Sequence, residues 1–258
     1  SFGDLNRSLV DFKDIPPELV DATTAIEDKD FWKNPGFDVG GFLSATIDTL
    51  TGHPRGGSTI TQQLVRARLL PPDTSGSVYD RKIREIIQSI RLTQAFPGED
   101  GKQKIIPAYL NQNFYGNQSY GVKAAATGYF GKDLKDLTLA QDALLAAIPK
   151  SPTQYDLVRN AISQCSVTPP EGQDCPAGKT QLVVPDTSPV VQRRNNVLEL
   201  MKTRSTLSGA RHTIEEYDAA EHEPVILVNQ AQAPMKAPHF VWQVREQLSG
   251  ILCGAETT

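Results

Sequence analysis

Apolar and polar residues follow one another along this chain mostly with a helical period. Between Arg81 and Phe96, Ile83, Ile86, Ile87 and Ile90 recur at i, i+3, i+4 and i+7 spacing, a strong amphipathic pattern. That stripe predicts a core-facing side. It leaves Lys82, Glu85 and Ser89 on a different face, towards water or a cleft. Pro16 and Pro17 suit a helix start. The helix after them carries Leu19, Thr23, Ile26 and Asp30 on one side, with Glu27 at the flank. Leu139 to Ile148 is apolar on most sides, as in a buried helix. A T-x-x-Q capping box at Thr138 and Gln141 opens it, and Pro149 and Pro152 end it. Helical patterns return at "VVQRRNNVLELMKTR" and "TIEEYDAAEHE". "LLPPDTSGSVYD" and "AFPGEDG" read as loops, and residues 163–190 as a polar, proline-rich surface excursion. Short strands are expected at "EPVILVNQ". No internal repeat is visible, and the picture is mainly α.

The stretch "GGSTITQQL", Gly56 to Leu64, stands out against this pattern. Thr59 and Gln62 have capping-box spacing, and the glycines permit a sharp turn before the helix. Capping leaves Ser58 and Gln63 without a role.

Composition is that of an ordinary globular protein, with 39% apolar and 22% charged residues. The 258 residues can bury a sizeable core. A net charge of −4 gives no general case for nucleic-acid binding. Charge is uneven, however: from His53 to Lys104, nine Lys and Arg face five Asp and Glu, a balance suited to an anionic ligand. Cys165 and Cys175 bracket "CSVTPPEGQDC", a stretch that suits a short disulfide loop in an oxidising compartment. Cys253 is left over. No apolar run approaches the roughly 18–20 residues of a membrane span. The chain opens without an initiator Met and reads as a piece of a longer protein.

Several chemistries lack their motifs. H-E-x-x-H, C-x-x-C, G-x-S-x-G, the Walker sequence, G-x-G-x-x-G and S-x-x-K are all missing. Carboxylates remain. "AIEDKDFW" sets Glu27 and Asp28 between an apolar helix face and two aromatics, where a raised pKa would suit a general base or acid. Glu85 in "RKIRE" has cations at i−4, i−3 and i−1, which would hold it ionised as a stabiliser or ligand. Two carboxylates in contrasting surroundings suit glycosidic chemistry.

The order "EDKDFWKNPGFD", "GGSTITQQL", "RKIRE", "KQKIIPAYLNQNFYG" and "LAQDALLAAIPKSP" resembles the peptidoglycan glycosyltransferase domain of class A penicillin-binding proteins. The likeness is dense from Leu9 to Pro152 and weaker through "RRNNVLELM" to "APHFVWQVREQL". It implies a mainly α, lysozyme-like, two-lobed fold. Residues 1–160 would form the catalytic core with its cleft and mobile jaw. Residues 161–258 would finish the domain and lead towards a transpeptidase domain. The implied reaction polymerises lipid II: an acceptor hydroxyl attacks the anomeric carbon of the lipid-linked donor. A β-1,4 linkage forms with inversion, and undecaprenyl pyrophosphate leaves.

By resemblance, Glu27 is the general base and Glu85 organises the pyrophosphate or its divalent cation, Mg or Mn. Asp28, Phe31, Ser58, Thr59, Gln62, Gln63, Arg66, Arg81, Lys82, Lys102 and Asn111 are the expected substrate-binding residues, with Arg55 as a further cation. Gln63 and Ser58 rank above the capping Gln62 as contacts. Expected partners are lipid II, the nascent glycan strand, the bacterial membrane surface and other cell-wall synthesis proteins. The expected location is the outer face of the cytoplasmic membrane, with an N-terminal anchor outside this sequence. Leu69, Leu70 and Tyr79 are candidates for exposure at a membrane-facing jaw. Asn34 stands where the family usually has His, Arg66 where it has Lys, Pro107 and Gln141 where it has Glu, and Gln118 where it has Gly. Pro107 is expected to start or kink a helix. A lysozyme-like glycan-cleaving enzyme and a lipid II-binding scaffold are the competing readings.

Overall fold

A computed structural model describes residues 9–38, 57–70, 78–169 and 173–229. Its helices are α1 (Pro17–Glu27), α2 (Ile60–Arg68), α3 (Val78–Ala95), α4 (Gly98–Gln112), α5 (Val122–Phe130), α6 (Leu139–Ala147), α7 (Leu157–Asn160), α8 (Pro189–Arg204) and α9 (Ile214–Glu221). Three short strands complete it: β1 (Ile162–Cys165), β2 (Thr180–Val184) and β3 (Val225–Leu227). Mainly helical architecture is therefore the observed class.

Pro17 occupies the first turn of α1, where a missing N–H costs nothing. Every residue from Leu19 to Ala25 is buried, so α1 is a central helix and not the one-sided helix expected from its stripe. It ends at Glu27, and Asp30 lies in the turn beyond. α1 packs against α6 and α8 through Ala22, Ala25, Ala140, Ala143, Ala146 and Ala147, small residues that let backbones approach closely. Asp21 is fully buried within this packing. Its carboxylate accepts from the Thr206 and Ser208 hydroxyls and from the backbone N–H groups of Leu207 and Ser208. That donor set compensates the desolvation of its charge. Both T-x-x-Q boxes form as expected, at Thr59/Gln62 and Thr138/Gln141, and a third forms at Thr213/Glu216.

Arg194, fully buried on α8, donates to the carbonyls of Glu221 and Glu223 and closes the C-terminal end of α9. Within the stretch expected to be a surface excursion, β1 and β2 pair as an exposed antiparallel hairpin, with Ile162 opposite Val183 and Cys165 opposite Thr180. β3 adds to β2 with Leu182 opposite Leu227, and the sheet turns Val184, Val225 and Leu227 into the core. Cys165 and Cys175 are disulfide-bonded. The chain divides into two units, Ser1–Val228 and Asn229–Thr258. All but the first residue of the second unit lies outside the described residues.

Two expectations need correction. Pro107 does not start a helix; it lies inside α4, which runs from Gly98 to Gln112. The apolar stripe of α3 is not its buried side: Ile86 and Ile90 are only partly buried. Ile83 and Ile87 are 55% and 44% exposed, whereas Glu85 and Ser89 are buried. The polar face turns inward because cations from α2 and α3 hold Glu85 there and because Gly36 lies against Ser89. A Cβ at Gly36 would sit 2.4 Å from the Ser89 carbonyl oxygen, and φ is +89° there, so only glycine fits.

Candidate functional site

α2 organises the site. Its capping box orders Thr59, Ile60 and the first turn, and the helix then presents Gln63 and Arg66. These are i and i+3, neighbours on one face with Cβ atoms about 5–6 Å apart. Each holds a different carboxylate.

Gln63 donates from Nε2 to Glu27 Oε2 at 2.9 Å. The Tyr109 hydroxyl donates to Gln63 Oε1 at 3.3 Å and so turns the amide nitrogen towards Glu27. Burial raises the Tyr109 hydroxyl well above its ordinary pKa, with the Glu27 charge adding to the effect, so it remains a donor. Arg193 on α8 donates from Nη2 to Glu27 Oε1 at 3.1 Å and from Nε to the Ala147 carbonyl at the end of α6. Glu27 is thus a carboxylate with 12% exposure, facing an amide and a guanidinium. The apolar surroundings expected from "AIEDKDFW" are not what it meets.

One turn along α2, Arg66 grips Glu85 with both arms, Nε to Oε1 at 2.6 Å and Nη2 to Oε2 at 2.9 Å. Lys82 Nζ lies 3.4 Å from Oε2 and Arg81 Nε 3.8 Å from Oε1. Lys82 also donates to the Ser58 hydroxyl at 2.9 Å. Burial pushes the Glu85 pKa up, but the hydrogen bonds and charges of Arg66 and then Lys82 outweigh it and hold it below its ordinary value. Three cations facing one carboxylate leave a surplus of two positive charges. Arg66 and Arg81 are about half exposed and can reach a ligand. The cluster suits a polyanion with several oxygens, such as a diphosphate.

The expected divalent cation does not fit Glu85. Both oxygens are engaged by Arg66, and the three neighbouring cations would repel a metal ion. The acidic group among the described residues that could hold a metal is Glu199, Asp218 and Glu221. It belongs to α8 and α9, and the Lys202 ammonium lies against all three carboxylates.

Seven predicted residues therefore come together in two linked clusters: Glu27, Ser58, Gln63, Arg66, Arg81, Lys82 and Glu85. Six others take supporting places. Thr59 and Gln62 are buried in the cap, and Thr59 also donates to the Gly36 carbonyl. Phe31 is a core residue, packed edge-on to Trp32. Asn111 pairs its amide with the N–H and carbonyl of Val10. Asp28 and Lys102 are buried. Asp28 accepts from the Ile60 N–H, while Lys102 donates to Asn34 and lies over the Phe31 ring. Lys102 is thus engaged with Asn34 and Phe31 and is absent from the cations around Glu85. Arg55 lies outside the described residues, as does the side chain of Tyr79; Leu69 is 55% exposed and Leu70 half-buried. Sequence reasoning missed Arg193 and Tyr109. The "RRNNVLELM" motif contains the first, but nothing local tells which of two adjacent arginines turns to Glu27.

The transglycosylase family matches residues 1–168. Penicillin-binding protein 1A of Pseudomonas aeruginosa is 31% identical over 252 residues, 96% of this chain and 26% of its own length. The Vibrio cholerae protein of that name is 33% identical over 241 residues, 92% of this chain and 25% of its own length. A crystal structure of penicillin-binding protein 1A from Haemophilus influenzae aligns with a TM-score of 0.40 and 24% identity, over 95% of this chain and 22% of that one. The chain belongs to the transglycosylase family. It spans about a quarter of the length of these relatives.

Proposed function

We propose that this chain is a peptidoglycan glycosyltransferase domain that polymerises lipid II. One observation carries the reading. A single helix, α2, places Gln63 on Glu27 and, one turn later, Arg66 on Glu85. A proton acceptor therefore lies beside a cradle for a polyanion. In the reaction, the acceptor hydroxyl takes the place of one donor at Glu27 and passes its proton to that carboxylate. Its oxygen bonds to the donor C1 as the bond from C1 to the phosphate oxygen breaks, giving the β-1,4 linkage with inversion. Undecaprenyl pyrophosphate leaves as an anion, stabilised by Arg66, Arg81 and Lys82. No step runs through a metal ion.

A glycan-cleaving enzyme would need a protonated acid at the scissile oxygen. Glu85, held ionised by its cations, is unsuited to that role. Lipid II and the glycan strand are the proposed partners, at the outer face of a bacterial cytoplasmic membrane. The outward apolar face of α3, with Ile83 and Ile87, and the exposed Leu69 support a membrane-facing surface. Among the described residues no helix is long and apolar enough to cross a membrane.

The test is incubation of the chain with labelled lipid II in detergent. A ladder of glycan strands, digested by a muramidase, is the expected result. Bound but unpolymerised lipid II would favour a scaffold, and release of short glycans from preformed strands a hydrolase.

A further inference from the structure

Asn34 stands at the centre of a buried polar bridge that the reaction does not use directly. Its Nδ2 donates to Asp28 Oδ1 at 2.8 Å. Its Oδ1 accepts from Lys102 Nζ and from the Gly36 N–H, both at 3.0 Å. Lys102 and the Gly36 amide can only donate, and an ionised Asp28 can only accept, so the sense of the Asn34 amide is fixed. Asp28 uses its other oxygen to accept from the Ile60 N–H at 3.1 Å. Ile60 is the first residue of α2, and Asp28 directly follows Glu27. Thr59 closes the circuit through the Gly36 carbonyl at 2.8 Å.

We propose that Asn34 is a positioning residue for the glycosyl transfer: its amide couples Asp28 to Lys102 and thereby sets the distance from Glu27 to the start of α2, hence to Gln63 and Arg66. The inference rests on the functional reading above.

The residue type matters because both ends of the bridge titrate. Burial pushes Asp28 up to about 6, against the lowering pull of Asn34, Ile60 and Lys102; Asp38 adds to the rise. Burial pushes Lys102 down to about 8, opposed by Asp28. Between those values both ends are charged, and a neutral amide serves each. An Asp at 34 would turn a carboxylate oxygen towards Asp28, and the two would have to share a proton. A neutral His at 34 can donate from one nitrogen and accept at the other, but its protonated form cannot accept from Lys102.

The experiment compares the parent, Asn34→Asp and Asn34→His for lipid II polymerisation from pH 5 to 9, alongside amide hydrogen exchange at Ile60. For Asn34→Asp, kcat is expected to fall roughly 10²-fold with KM little changed, the loss setting in as pH rises past about 7 and the shared proton leaves. Exchange at Ile60 should rise roughly tenfold or more. Asn34→His should recover most of the lost kcat above pH 7, with its acid limb moved up towards about 6.5. Parent-like kcat, alkaline profile and Ile60 exchange in Asn34→Asp would overturn the proposal. Should that variant unfold, an acid limb unmoved in Asn34→His overturns it instead. If the parent itself makes no glycan, the functional reading fails separately. Ile60 exchange then decides the bridge: faster in Asn34→Asp supports it, unchanged overturns it.

Discussion

Replacing Arg66 with Ala removes both arms from a carboxylate that is fully buried. Two charge-assisted hydrogen bonds are worth about 3–6 kcal/mol together before compensation. The guanidinium is 47% exposed, and Arg81 and Lys82 remain beside Glu85, so much of that gross value is recovered. The expected net loss of stability is about 1–2 kcal/mol, a fall in melting temperature of roughly 2–8 °C for a domain of this size. Loss of one cation from the leaving-group cradle should lower kcat roughly 10²-fold. Arg66→Lys keeps the charge but not the second hydrogen bond; about a tenfold fall in kcat is expected, with under about 1 kcal/mol of destabilisation. The pH dependence follows from Glu85. Its folded pKa lies below the ordinary 4.5, so its stabilising contribution is present above 4.5 and is lost as pH falls through the folded value. Arg66→Ala removes most of that contribution. The gap between parent and variant should therefore be wide at pH 7 and narrow near pH 3. Thermal unfolding across that range, with initial rates of lipid II polymerisation at pH 7.5, measures both effects. A gap that does not change with pH, together with parental kcat, would refute the assignment of Arg66 and Glu85 to one cradle.

Further outcomes follow from individual residues. Lys82→Gln should lower kcat roughly 10²-fold with little change in melting temperature, because Lys82 touches Ser58 and Glu85 at the cradle; unchanged kinetics would remove it from the leaving-group site. Asp142 is buried on α6 with one oxygen lacking any partner, and burial, aided by Glu18, raises its pKa well above 3.8. The folded chain thus binds that proton more tightly than the unfolded chain, and stability declines as pH climbs above 3.8. Asp142→Asn should flatten that decline and add about 1–3 kcal/mol at pH 7.5 in thermal unfolding; an equal effect at pH 4.5 would contradict this account. Asn117 and Gln118 both have positive φ, 40° and 57°, in the turn closed by the Ser119 N–H and the Gly116 carbonyl. Gln118→Gly should stabilise by about 0.5–1 kcal/mol in denaturant titration, and a loss would show that the turn carries no strain.

Local chemistry in this sequence was legible wherever neighbours along the chain decide it. The Thr59/Gln62 and Thr138/Gln141 boxes, the Pro17 helix start and the Cys165–Cys175 loop each need only a few residues. α3 shows the limit. Its periodicity marks two faces, but their burial depends on where Arg66 and Gly36 sit, and Ile83 and Ile87 of the apolar stripe are turned out. The two glutamates and five of their companions emerged from motif order. Lys102, Phe31 and Asn111 belong to the same motifs and contact Asn34, Trp32 and Val10. A motif records which residues occur together, not which of them touch one another. Arg193 meets Glu27 across 166 positions, a contact fixed by the packing of α1, α6 and α8 and by nothing in the local pattern.

The central claim is that Glu27 accepts the proton from the attacking hydroxyl. The most direct measurement is single-turnover polymerisation of labelled lipid II by the parent and Glu27→Gln, with lipid II binding measured in parallel. The account predicts unchanged binding and a loss of glycan product of roughly 10³-fold or more, since the amide keeps the shape but cannot take a proton. Product formation by Glu27→Gln at a rate near the parent's would contradict it.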